Sequence, residues 1–155
     1  MQSVEFSEVE ELDKSLKKLL EEIPVARKEL HEGIANILKN EVDKGINTSG
    51  LNDNNGKVKE WQESVVGSGG GYAAVHAESG ITGNNSPGAI TNYLENGHKI
   101  RQPSGKSKHY RPRIKKSYVN GYHFYQSASK TAESIALSYT EDFVETIKNQ
   151  LEGNK

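Results

Sequence analysis

The sequence predicts an α+β fold: an N-terminal helix pair, a small antiparallel sheet and a long C-terminal helix. Three observations lead there. Apolar residues recur at three- and four-residue spacing through the first third of the 155-residue chain, the period of a helix with one buried face. In the middle, two stretches of β-favouring residues flank the glycine run "GSGGG", the pattern of a hairpin. From about Tyr125 the helical spacing returns and continues almost to the end. The order α, α, β, β, short α, β, long α suits helices packed on one face of an antiparallel sheet.

Val9, Leu12, Leu16, Leu19, Leu20 and Ile23 define the inner face of a first helix from about Ser7 to Glu22. Ser7 is its expected N-cap, with Glu10 completing a capping box. Pro24 either kinks this helix or opens a second one, because proline lacks the N–H that a helix interior needs but is tolerated in a first turn. The second helix would carry Val25, Leu30, Ile34, Ile37, Leu38 and Val42 inward and stop near Gly45. "NTSGLNDNNG" is a loop, since its residues favour turns and left-handed backbone. "KVKEWQESVV" and "YAAVHAES" are the two strands, with Val58, Val65, Val66, Tyr72 and Val75 as the β-favouring residues.

"GITGNNSPG" is a further loop, and "AITNYLENG" is a short helix closed by Gly97 as its C-cap. After a basic segment comes the aromatic-rich "SYVNGYHFY". Ala128, Ala132, Ile135, Ala136, Tyr139, Phe143, Ile147 and Leu151 then mark the inner face of the terminal helix, which ends at Gly153. One domain is expected over residues 1–155, with flexible loops near 47–57, 67–71, 80–88 and 99–116 and no internal repeat.

An apolar fraction of 33% beside 26% charged residues makes for a thin core, or one completed by other subunits, and so predicts an oligomer. Cysteine is absent, which removes disulfides, thiolate nucleophiles and cysteine-ligated zinc. The N-terminus "MQSVEFSEVEELDKS" is acidic where a signal peptide would be basic and then apolar, and no stretch approaches the ~20 apolar residues of a membrane span. The expectation is a protein made in the cytoplasm, with no membrane partner. The net charge of -1 hides an asymmetry: between Glu95 and Glu133 there is no acid, while Lys and Arg are frequent.

Several motifs fail on inspection. "SGKS" resembles the end of a phosphate-binding loop, but Ile100 stands where the first glycine belongs, Pro103 interrupts the loop, and the following "KHYRPRIKK" is a poor helix start. "HAE" at His76 to Glu78 has the H-x-E of zinc deaminases without the two cysteines that complete the site, so His76 reads as an ordinary strand residue. His31, His98, His109 and His123 form no i, i+4 pair, and no metal site is expected. The paired acids Glu10 and Glu11, and Glu21 and Glu22, belong on solvated helix surfaces and nominate no general acid or base. No catalytic residue and no cofactor is implied. The "GSGGG" run is either a mobile hairpin tip or an arm that orders against a neighbouring subunit.

The basic segment is the sharpest feature. Lys99, Arg101, Lys106, Lys108, Arg111, Arg113, Lys115 and Lys116 are interleaved with His109 and Tyr110, with Pro103 and Pro112 keeping the segment extended. It is either a solvated loop or a contact for DNA or an acidic partner surface, where such side chains pair with phosphates or carboxylates. Contacts of this kind carry no base-sequence information, which excludes a site-specific regulator. A stand-alone nucleic-acid-binding module, with Tyr110 and Tyr118 as stacking groups, is the alternative to an assembly role.

The sequential arrangement resembles the tail-component family of tailed bacteriophages that includes the neck and tail-completion proteins. Thr48, Gly50 and Leu51, with Ser49 inserted, are similar to the family's "TG-x-L" turn after the first helices. Tyr93, Glu95, Gly97 and His98 are similar, at compressed spacing, to a "Y-x-x-x-x-E-x-G-H/T" element before a variable loop. Gly121, Phe124 and Ala128 correspond to the glycine, aromatic and small residue that lead into the last helix. The resemblance implies a non-catalytic virion protein that forms a ring, usually hexameric, between the head connector or head-closure protein and the tail terminator or tube. It places the protein in the virion neck or tail; separately, the charge band alone suggests that the basic loop faces genomic DNA in the channel or an acidic connector surface.

Overall fold

The computed structural model describes residues 7–100 and 116–152, with side chains from Asp13 onward. It is an α+β fold. Helix α1 (Ser7–Thr48) is followed by a short helix α2 (Lys57–Glu60) and a hairpin of strands β1 (Gln62–Val66) and β2 (Ala73–Ala77). Helix α3 (Pro87–Asn96), strands β3 (Gly97–Lys99) and β4 (Tyr118–Asn120), and the long helix α4 (Phe124–Leu151) complete it.

The expected helix pair is one helix. α1 runs through Pro24 for 42 residues, about 63 Å of axis, where the sequence left a kink or a new start open. A mid-helix proline forfeits one hydrogen bond and costs roughly 3 kcal/mol in an isolated helix. Here packing on both sides of Pro24 offsets that cost: Leu19 before it and Ala35, Val42 and Ile46 after it are all buried, and α1 lies along α4 over much of its length. The helix also continues past Gly45 to Thr48. Ser7 and Glu10 lie in its first turn, but the expected capping box rests on side chains outside those described.

The first expected strand splits in two. Both carboxylate oxygens of Asp53 accept backbone N–H groups, from Val58 at 3.0 Å and Lys59 at 3.2 Å. That cap stabilises one helical turn, so Val58 lies in α2 and the strand begins only at Gln62. Nor is there a single sheet. β1 pairs with β2 from Gln62↔Ala77 to Val66↔Ala73, and β3 pairs with β4 from Gly97↔Asn120 to Lys99↔Tyr118. Both are two-stranded antiparallel ladders, and α3 stands between them in the chain.

The core gathers Val42, Ile46, Phe124 and Ala128, with Leu51, Val58, Val75, Leu94 and Tyr125 packed around them. It sits where the C-terminal end of α1 meets the N-terminal end of α4. Gly45 permits this approach, since a Cβ there would stand 2.8 Å from the carbonyl oxygen of Phe124. The "GSGGG" tip is seated on its own helix α1. Gly70, at φ 59, leaves only 2.9 Å between an added Cβ and the Cα of Lys28, and Arg27 donates from Nη2 to the Gly69 carbonyl at 2.6 Å.

Away from this core the helices thin out. Leu16, Leu20, Val25, Tyr139 and Leu151, all expected to face inward, are exposed, Leu20 by 73%. Two helices side by side bury one seam each, and no third layer covers the rest. Among the described residues, no helix is long and apolar enough to cross a membrane.

Candidate interface at the α3–α4 joint and the basic hairpin

α3 begins with Ser86, whose Oγ accepts the Ala89 N–H at 3.2 Å, and with Pro87 in the first turn. It ends at Gly97, whose φ of 75° lies in the left-handed region that favours glycine. Glu95 stands in its last turn, where the helix dipole disfavours a carboxylate. The compensation comes from the start of α4. Glu95 Oε2 accepts the Tyr125 N–H at 2.9 Å and Oε1 accepts the Gln126 N–H at 3.0 Å. The N-cap position of α4 is His123, at φ 54 and with no capping side-chain bond of its own, so Glu95 satisfies the orphan amides in its place.

The exchange is reciprocal. The carbonyls at the end of α3 accept from the segment that leads into α4: Leu94 from Tyr122 N at 2.7 Å and Glu95 from His123 N at 3.2 Å. Tyr118 donates its hydroxyl to the Asn96 carbonyl at 2.8 Å. Gly121 makes room for this, because a Cβ there would overlap the Glu95 carbonyl oxygen. Tyr125 then ties the joint to the first hairpin: its hydroxyl donates to Gln62 Oε1, and Gln62 Nε2 donates to the Val58 carbonyl at 2.8 Å. Burial first and the Glu95 carboxylate second push the Tyr125 hydroxyl up to about 12.

A cavity of about 300 Å³ opens beside this network, with His76, Thr91, Glu95 and Tyr125 in its wall. Both oxygens of Glu95 are taken up by amides, and the hydroxyl of Tyr125 is bonded and hard to ionise. These groups hold helices together and are badly set for proton transfer. His76, in β2, has Nδ1 within 2.9 Å of the Ala77 carbonyl oxygen.

The joint presents the basic segment. Lys99 ends β3 and Lys116 precedes β4, and both are exposed. Beyond Lys99, Ile100 donates its N–H to the Ser117 carbonyl at 2.9 Å, so the segment leaves and returns side by side. Arg101, Lys106, Lys108, Arg111, Arg113 and Lys115 lie outside the described residues, as do His109 and Tyr110. Tyr118 is 45% exposed with its hydroxyl tied down, leaving a ring face on the surface.

Sequence reasoning placed the end of α3 at Gly97 but missed what Glu95 does. The available signal was an acid in the last turn of a helix, a place that calls for an outside donor. Of the residues singled out in the sequence, Glu95, Gly97, Gly121 and Phe124 form the joint, Ala128 is in the core beside Phe124 and Leu51 packs against it, while Thr48 ends α1 and the rings of Tyr93 and His98 lie 5.2 Å apart. No family model, curated protein or solved structure matches the chain.

Proposed function

We propose that this chain is a structural virion assembly protein of a tailed phage or phage-like particle, a subunit of a ring at the head–tail junction that acts without catalysis. The observation that carries the reading is the joint itself. Four of the residues by which the chain resembles the tail-component family, Glu95, Gly97, Gly121 and Phe124, lie where α3 is tied to α4, next to the strand pair from which the basic segment leaves and returns. Such an arrangement suits presentation of a surface rather than turnover of a substrate. Exposed apolar residues along α1 and α4 supply area for subunit contacts. Electron microscopy of a lysate from the phage or prophage with this gene deleted tests the proposal. Separate filled heads and tails, or tails of abnormal length, are the expected result; intact joined particles overturn it.

A second reading takes the same hairpin as a sequence-independent nucleic-acid contact. Exposed Lys99 and Lys116 at a paired base favour it, since the intervening cations would then lie along one backbone. It requires binding to double- or single-stranded DNA that weakens steeply with salt, and no shift at low salt removes it.

A further inference from the structure

A second concavity lies far from the joint. It is a groove of about 650 Å³ between the middle of α1 and the last half of α4. Ile23, Leu30, Phe143 and Ile147 are among its apolar lining residues. Glu21, Glu22, Glu29 and Asp142 line it as well; Glu22 is paired with Lys18 at 3.6 Å, and among the described residues no lysine or arginine is in the lining. Val25, in the lining, and Val144 beside it are more than half exposed, so the apolar surface continues outside the groove.

The rest of the chain supplies a segment of complementary chemistry. From Lys99 to Lys116 there are eight cations and no acid, and Ile100, Tyr110 and Ile114 stand among them. Arginine and lysine stems cover apolar surface while their heads reach carboxylates at its edge, which is what this groove offers. The segment and the groove lie at opposite ends of α4. Phe143 is about five turns, roughly 28 Å, beyond Phe124, and a loop anchored at Ile100 and Ser117 would need nearly full extension to span that distance.

We propose that the groove between α1 and α4 is the docking site for the basic hairpin of a second copy of this chain. The contact is head-to-tail: each copy offers one groove and one hairpin, and each engagement leaves the next groove open, so the array grows until rotation closes it into a ring. The inference rests on the reading of the chain as a self-assembling subunit and names the surfaces that would join.

Native mass spectrometry of the full chain, over a range of concentration and salt, tests it. Two variants reverse one side each: Glu21→Lys with Glu29→Lys and Asp142→Lys in the groove, and Lys106→Glu with Lys108→Glu, Arg111→Glu and Arg113→Glu in the hairpin. Glu21, Glu29 and Asp142 are exposed in the subunit, so circular dichroism should be unchanged by the groove substitutions. Each variant alone should need at least a tenfold higher concentration to assemble. Mixed, they should assemble again with the two variants in equal numbers, because the lysines placed in one variant's groove then meet the four carboxylates placed in the other's hairpin. Reversed variants that assemble like the wild type overturn the groove contact and leave the ring reading standing. A wild type that stays monomeric throughout, including one whose groove is covered by its own hairpin, overturns the self-association on which the contact rests.

Discussion

Glu95 and Tyr125 are joined across 30 residues of sequence by a bond from the Tyr125 amide to the Glu95 carboxylate, 2.9 Å long. One side chain at the end of a helix thereby starts another. Glu95→Ala should lower stability by about 1–3 kcal/mol, since two half-buried amides of α4 lose a charged acceptor. Glu95→Gln keeps a single acceptor oxygen and should cost roughly half as much. Urea titration of the two variants against the wild type checks the order.

Tyr125 gives the fold an alkaline limit. Its hydroxyl titrates near 12 in the folded chain and near 10.0 when unfolded. Below pH 10 both states are protonated and the bond to Gln62 contributes in full. Between pH 10 and 12 the unfolded state loses the proton first, so stability falls with rising pH, by about 2 kcal/mol across the window. Tyr125→Phe is less stable at neutral pH and should lack this part of the alkaline loss. Denaturant midpoints at pH 9 and pH 11.5 for both chains test the sign.

Glycine substitutions should separate sharply. Gly121→Ala has no room for its methyl between the Glu95 carbonyl and Asn96, and Gly45→Ala would press on the Phe124 carbonyl. Both should cost several kcal/mol or prevent folding. Gly88, in the first turn of α3, has open space around it, and Gly88→Ala should raise stability by about 0.5–1 kcal/mol. Thermal melts of the set decide it, and a tolerated Gly121→Ala would mean the joint is looser than described.

Pro24→Ala should stabilise α1, because it returns an N–H to a helix that already runs through this position. A rise in melting temperature corresponding to roughly 1–3 kcal/mol is expected, with no loss of helical circular dichroism. A destabilised variant would instead mean that a bend at Pro24 is needed for α1 to follow α4.

Most of the fold could be read from periodicity. The spacing of Ala128 and Ala132 placed the buried face of α4, and "YLENG" placed the end of α3 on Gly97. The misses share a cause, which is that a distant partner decided the outcome. Pro24 is carried within α1 by packing along α4, and Val58 is drawn into a helical turn by the side chain of Asp53. Leu20 and Val25 follow the helical period faithfully yet stay exposed, because period shows which way a residue faces and not whether anything lies opposite. At the interface the lysines were visible as a run of charge. The role of Glu95 was not, since it depends on amides contributed by a helix that starts 29 residues later in the chain, at residue 124.

The bond between Ile100 and Ser117 has a consequence for engineering. Because the chain is clasped where the hairpin leaves the body, the length between those points is nearly invisible to the rest of the fold: doubling such a loop costs only about 0.6 kcal/mol in closure entropy. A peptide tag spliced between Gly105 and Lys106 should therefore leave the melting temperature of the subunit almost unchanged, so any loss of assembly it causes can be told apart from a loss of folding.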